Sequence, residues 1–260
     1  MRISACLITL NEEANLPRCL ASIGSFADEV VVVDSGSADR TREIAAEAGA
    51  RVIAQPWLGY VGQKNFVIGQ ATHEWIFSID ADEEVSGDLR IEIEALKSAS
   101  NQSPPACAGY RMPRCVRYEG RWIRHGDWYP DRLVRLFRKT KARFVGAKVH
   151  ERLELSGDFR DLRGELFHYS FENRADHSKR CQTYARLWAE SAFEAGKRAG
   201  PLSGPLHSAF RWARGYLLRG GFLDGPQGWH IARMCAAEVH LKYTLLRRMR
   251  ANQEPAETNG

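Results

Sequence analysis

The chain has 260 residues, a formal net charge of +5, 44% hydrophobic and 27% charged residues. That composition excludes collagen-like and wholly disordered chains, and the length allows a large buried core. No stretch approaches 18 apolar residues in a row, which argues against a transmembrane helix. The opening MRISACLITLNEE has an apolar run too short for a secretory signal, so the chain is expected to stay in the cytosol.

Charge is unevenly spread. Residues 1–100 carry 8 Lys/Arg against 16 Asp/Glu, residues 101–195 carry 19 against 12, and residues 196–260 carry 10 against 4. An acidic first third suggests a cation and its ligand as partners, and a basic remainder suggests an anionic surface. No helix-turn-helix, finger or RNA-binding signature accompanies the basic residues, so nucleic acid is not expected. The six cysteines are scattered without a CxxC, as expected of buried free thiols.

In chain order, residues 3–10 read as a buried strand. Asn11 can cap a helix bearing Leu16, Cys19, Leu20 and Ile23 at helical spacing. EVVVVD (29–34) is a strand covered on both faces. Helix 39–48 ends at Gly49, followed by strand 51–54, helix 61–71, strand 74–79 and helix 86–98. This alternation predicts a parallel sheet between two helical layers, with ligands beyond the strands' carboxyl ends, where Asn11, Asp34 and Asp80 fall. NQSPPACA (101–108) is a Pro-rich break. Basic, aromatic-studded strands follow at 109–118, 133–138, 152–155 and 164–169, then a helix over 173–197. GPLSGPL (200–206) is a second linker; helices are expected over 207–219 and 229–250, before a polar tail.

The sharpest chemical signal is Asp80-Ala81-Asp82-Glu83-Glu84 at a strand end. So many carboxylates repel unless a cation or solvent neutralises them, and two of them can meet one divalent metal whose remaining positions go to phosphate oxygens and water. An acidic helix start would explain the same residues. In VVVDSGSADRT (31–41), Asp34 can accept hydrogen bonds from a base or ribose, while Ser37 or Asp39 can cap the next helix.

ITLNEE, VVVDSGSADRT and FSIDADEE have the order and spacing of the nucleotide-sugar-binding half of family 2 glycosyltransferases, and Gln63-Lys64-Asn65 resembles the segment preceding that family's D-x-D strand. The resemblance implies a GT-A nucleotide-diphospho-sugar transferase fold, α/β with a mostly parallel central sheet flanked by helices, and inverting transfer with Mg2+ or Mn2+. It implies that Thr9, Glu12 and Asp34 contact the base and ribose, with Asn11 in the same donor-binding turn. Lys64 would lie near donor phosphate or ribose, Asp80 would hold sugar or ribose hydroxyls, and Asp82, helped by Asp80, would bind the metal.

Gly126–Leu133, GDWYPDRL, resembles the acceptor loop of the bacterial lipopolysaccharide-core glucosyltransferases within this family. Asp131 is the expected general base and Asp127 the second candidate, against the alternative that Asp131 merely pairs with Arg132 or Arg135 in a Tyr-Pro turn. Trp128, Tyr129 and Arg132 are expected at the acceptor, and Trp122 has a similar stacking surface. His150 is expected at the metal and His168 at the diphosphate, although a structural hydrogen bond is the commoner fate of a single histidine.

The division expected is a nucleotide-sugar half (1–100), an acceptor half (101–199), a helical extension (200–250) and a flexible tail (251–260). A helix over 229–250, about 33 Å long, mixes apolar and basic residues and suits an anionic leaflet. Packing against another helix would explain it too. The function implied is transfer of a hexose, by default glucose, from a UDP-sugar to a lipid-linked saccharide such as the lipopolysaccharide core, at the inner face of the inner membrane. The alternatives are a metal-dependent nucleotidyltransferase, disfavoured because Asn11-Glu12-Glu13 is no Gly-rich phosphate loop, and a non-enzymatic membrane-surface protein retaining the fold.

Overall fold

The computed structural model describes residues 1–146, 151–171 and 173–253. They group into two compact units, Met1–Cys115 with Asp131–Tyr169, and Val116–Pro130 with Ser170–Gly260.

The first unit holds β1 (Ile3–Thr9), β2 (Glu29–Asp34), β3 (Arg51–Ala54), β4 (Trp75–Ser78) and β5 (Glu83–Val85), with α1 (Leu16–Ile23), α2 (Thr41–Glu47), α3 (Gly59–Gln70) and α4 (Gly87–Ala99) between them. β6 (Gly109–Tyr118) follows; its last three residues pass into the second unit and pair with β7 (Arg121–Ile123). β8 (Asp131–Arg138), β9 (Ala142–Val145), β10 (Arg152–Leu155), β11 (Phe159–Asp161) and β12 (Leu166–His168) complete the unit.

The main sheet runs β3-β2-β1-β4-β8-β6-β12-β5. Its first four strands are parallel, and β11 adds a short parallel pairing to β6 off that path. β8 lies antiparallel to β4, β6 antiparallel to β8, and β12 antiparallel to β5. The fold class is the α/β class expected, but the sheet is mixed. The described residues of 101–169 carry no helix of the α class with which to cross over, so antiparallel pairing prevails among their strands, β11 with β6 being parallel.

Side-chain alternation explains why both faces are covered. Ile3, Ala5, Leu7 and Val32 enter one core with α1 and α4, while Cys6, Val31 and Val33 enter a second with α3. Each buried valine of β2 contributes on the order of 1.5 kcal/mol, which favours a strand shielded on both sides. Ser86 caps α4 by accepting from Leu89 N at 3.2 Å. Gly164 is required beside that helix start, because a Cβ there would lie 2.3 Å from Leu89 Cα. All six cysteines are buried and free.

The second unit comprises α5 (Arg174–Glu194), α6 (Ser203–Ala213) continuing as a π-turn to Leu218, and α7 (Gly225–Ala251). Asn173 caps α5 through Asp176 N at 3.0 Å. Ile231, Cys235 and Leu246 of α7 are buried against neighbouring elements of this unit, so much of that helix's apolar face is internal. Among the described residues no helix is long and apolar enough to cross a membrane.

Candidate functional site

The first two βα turns are zipped together. Asn11, at φ 56°, donates from its backbone to Ser37 Oγ (2.9 Å), and its side-chain oxygen accepts from Ala38 N (2.9 Å). Glu12 N donates to Thr41 Oγ1 at 2.8 Å and Glu13 N to Asp39 Oδ2 at 3.1 Å. Asn11 is therefore a clasp between turns rather than a helix cap, and α1 begins only at Leu16.

Asp34 lies at the centre of this arrangement, 1% exposed. It accepts from Gly36 N (3.1 Å), Ser37 N (2.9 Å), Ser37 Oγ and Thr9 Oγ1 (3.1 Å). Burial alone would raise its pKa, but these donors hold it below the ordinary value. A carboxylate has about four lone-pair positions, so these four donors fill it. Asp34 and Thr9 thus shape the turn from within, where direct contact with a base or ribose was expected of both.

The D-x-D segment splits into separate contacts. Lys64 Nζ lies 3.2 Å from Asp80 Oδ1 and 3.0 Å from Glu151 Oε1. Arg135 Nη2 reaches Asp80 Oδ2 at 2.7 Å and Glu83 Oε1 at 2.6 Å. Arg114 donates to Glu83 Oε1 (3.3 Å) and, through Nε and Nη2, to Asp131 Oδ2 (3.1 and 2.7 Å). One alternating line of charge therefore runs Glu151, Lys64, Asp80, Arg135, Glu83, Arg114, Asp131. Burial would raise the Asp80 carboxyl, yet Arg135 and Lys64 outweigh it and hold it far below the usual carboxylate range. Glu84 turns elsewhere, accepting from Tyr169 OH, with Arg18 at 3.8 Å.

Asp82 differs from its neighbours. Its side-chain partner is His168, Nε2 to Oδ2 at 3.2 Å, and no lysine or arginine pairs with it among the described residues. Glu12 faces the same acidic region. Burial raises its carboxyl most, and Asp82, Asp39 and Asp80 add to the rise against the hydrogen bond from Asn15. The region thus carries negative charge that the protein leaves uncompensated.

Among the described residues no three His, Cys, Asp or Glu side chains are placed to hold a metal ion. The donors present nevertheless fit a magnesium- or manganese-type ion, which takes one or two carboxylates and completes its shell with substrate phosphates and water. Asp82 and His168 are adjacent oxygen and imidazole donors in a region of surplus negative charge. Asp80 is already engaged by two cations, so it is a poorer ligand than expected. His150 lies outside the described residues.

Asp131, at the start of β8, pairs with Arg114, its cross-strand partner on β6, rather than with Arg132 or Arg135. Its Oδ1 makes no hydrogen bond among the described residues and remains open as a proton acceptor. Arg132 lies 3.7 Å from Asp161. Gln63 is buried, donating to Ser35 Oγ at 3.0 Å, and Asn65 exchanges two 2.9 Å bonds with the backbone of Phe144.

In the second unit, Asp127 is 4% exposed in its side chain and gripped by Arg211 (3.0 Å), Arg214 (2.9 Å) and Arg219 (3.2 Å). A carboxylate so occupied organises its surroundings, which removes the ground for Asp127 as a second candidate base. Trp128 stacks on Phe171 at 4.9 Å and meets Tyr118 edge-on at 5.5 Å, so one of its faces is spent on packing where acceptor stacking was expected. Tyr129 is half-buried and joined to Pro130 by a cis peptide.

Sequence reasoning gave Arg114 no role, offered Arg135 only as a pairing alternative for Asp131, and counted Glu83 only as a member of the acidic run. The signal for them was the run of basic residues on 109–118 and 133–138, which supplies counter-charge to the acidic segment.

The description "Glycosyl transferase family 2" matches residues 4–154. An uncharacterised glycosyltransferase of Rickettsia typhi is 30% identical over 95% of this chain and 87% of its own length. A lipopolysaccharide core biosynthesis glycosyltransferase of Rhizobium meliloti is 32% identical over 94% of this chain and 93% of its own. Glucosyl-3-phosphoglycerate synthase from Mycobacterium tuberculosis, solved with Mn2+, UDP-glucose and phosphoglyceric acid, aligns over 45% of this chain and 44% of that one, at 24% identity and a TM-score of 0.35. With more than half its length matched by the family and relatives at this identity along nearly the whole chain, this protein belongs to glycosyl transferase family 2.

Proposed function

We propose that this protein is a metal-dependent, inverting hexosyltransferase. It moves a sugar, by default glucose, from UDP to a lipid-linked saccharide such as the lipopolysaccharide core, as a peripheral enzyme at the inner face of the bacterial inner membrane. The observation that carries the reading is the line of ion pairs from the D-x-D aspartate Asp80 to Asp131, which couples a diphosphate-type acidic site to an open carboxylate. Likeness to the Rhizobium core glycosyltransferase along most of both chains supports the acceptor class.

In this reading residues 1–100 bind the donor and residues 101–199 shape the acceptor side. Asn11 and Glu12 line the donor turn that Thr9 and Asp34 hold open. Lys64 and Asp80 meet the donor's phosphate and hydroxyl groups. Asp82 and His168 would hold the divalent ion, which when bound would offset charge on the departing diphosphate. The acceptor hydroxyl attacks the anomeric carbon from the face opposite UDP, forming the new glycosidic bond as the bond to the diphosphate breaks. Asp131 takes the hydroxyl proton on Oδ1 while Arg114 keeps Oδ2 fixed, and Arg132 stands beside the acceptor path. Trp128 and Tyr129 are the aromatic residues assigned to acceptor recognition.

The test is Asp131→Asn. It should retain UDP binding in a thermal-shift titration with Mg2+ or Mn2+ while losing transfer by about a hundredfold or more. Normal transfer would remove Asp131 from the chemistry. Asp82→Ala should abolish the metal-dependent part of the UDP shift; if UDP-sugar is never turned over by the unsubstituted chain, the non-enzymatic reading replaces this one.

A further inference from the structure

We infer that the second unit carries a membrane-docking face on α6 and the turn after it, suited to a bilayer containing anionic phospholipid. The inference rests on the proposed lipid-linked acceptor and gives it a physical point of attachment.

α6 packs on α7 through Gly204, where an added Cβ would come 3.3 Å from His240 Nδ1. On the side away from that contact, Leu202, Leu206 and Phe210 recur every four residues and are 64%, 64% and 62% exposed. The helix runs on into its π-turn, where Leu218 reaches 77%, and the next turn exposes Phe222 and Leu223. Single exposed leucines are ordinary on soluble proteins, but a continuous helical face of them is a binding surface. Its aromatic edge is built in: Tyr216 meets Trp229 at 5.1 Å and Phe222 at 6.2 Å, and such rings favour the boundary between headgroups and acyl chains.

Charge identifies the occupant. Residues 195–223 contain five Lys/Arg and no Asp or Glu. Arg211, Arg214 and Arg219 turn their heads to Asp127, which clears the apolar face of charge while leaving two positive charges in surplus. Arg198, four residues before Leu202, lines an opening with Arg247, Arg248, Arg250 and Thr244. Arg250 is tied to the carbonyls of Phe193 and Lys197, whereas Arg198, Arg247 and Arg248 are exposed. A second copy of the chain would set these cations against themselves. An anionic bilayer offers acyl chains to the leucines and phosphates to the arginines at once, the usual condition for a helix lying in the interface.

The test is co-sedimentation of the full chain with vesicles of phosphatidylcholine alone or of equimolar phosphatidylcholine and phosphatidylglycerol. Binding is expected to the mixed vesicles and to fall with added salt. Leu206→Glu with Phe210→Glu should reduce partitioning at least tenfold, and Arg198→Gln with Arg247→Gln and Arg248→Gln by about a hundredfold, with melting temperature and transfer to a soluble acceptor unchanged. The inference is overturned if the unsubstituted chain ignores both vesicles, if either variant binds as it does, or if Leu206→Glu with Phe210→Glu instead turns a dimer into a monomer. Donor turnover without vesicle binding would sink the docking face alone. Vesicle binding without donor turnover would sink the enzymatic reading and leave the face standing.

Discussion

In the first unit Asp80 and Glu83 share Lys64, Arg135 and Arg114 along a line that starts at Glu151 and ends at Asp131, four carboxylates to three cations. In the second unit three arginines converge on Asp127 alone. One region is left short of positive charge beside Asp82 and Glu12, and the other holds an excess of it beneath an apolar helix face. A binding site for a metal diphosphate needs the first imbalance and a surface for anionic headgroups needs the second. The unequal charge along the chain is therefore only partly a matter of different partners. The basic middle of the sequence sends Arg114 and Arg135 back to neutralise the acidic first third, and what remains after that pairing is what each region can offer a ligand.

The sharpest break in this comparison is Arg135→Met. It leaves buried Glu83 and half-buried Asp80 short of their shared cation, and we expect a loss of about 4 kcal/mol in denaturant unfolding together with weakened UDP binding. An unchanged midpoint would mean that the line of ion pairs is dispensable.

Next in size is a pH effect in the second unit. Burial, with His230 nearby, pushes His177 down to about 4. The unfolded chain therefore binds a proton near pH 6.5 that the folded chain refuses. Its contribution is fully present above pH 6.5 and is lost as pH falls through about 4, amounting to roughly 3 kcal/mol. Melting curves across that window should show the slope, and His177→Phe should flatten it; equal slopes would place the titration elsewhere.

The smallest expected effect is Asp127→Asn, which leaves three guanidinium groups facing one another. Because those arginines are partly solvated, the cost is about 2 kcal/mol, with Mg2+-dependent UDP binding unchanged. A loss of transfer greater than the loss of folded protein would return Asp127 to the catalytic candidates.

Much of the first unit was legible because its signals are local. The β-branched run of β2, the helix over 86–98 and the helical spacing of Leu16, Cys19, Leu20 and Ile23 each depend on residues within one or two turns of one another. The acidic strand end was equally visible. The division of labour within it was not, because whether Asp80, Asp82, Glu83 or Glu84 remains open depends on which distant arginine arrives. Arg114 meets Asp131 only through the antiparallel register of β6 and β8, and a shift of one residue would have turned that arginine to the other face. The short strands β5, β7, β9 and β11 were missed for the same reason. Three or four residues hold no period, and their pairing is set by the sheet they join.

The sequence by itself determined the alternating α/β order, the acidic strand end and the family to which the chain belongs, because these rest on spacing and composition along one stretch of backbone. Tertiary structure alone decided which carboxylates are spent and which are left open. It also decided that α7 packs much of its apolar face inward while α6 shows one outward. Ion pairing and burial join residues dozens of positions apart, and no local pattern records those distances.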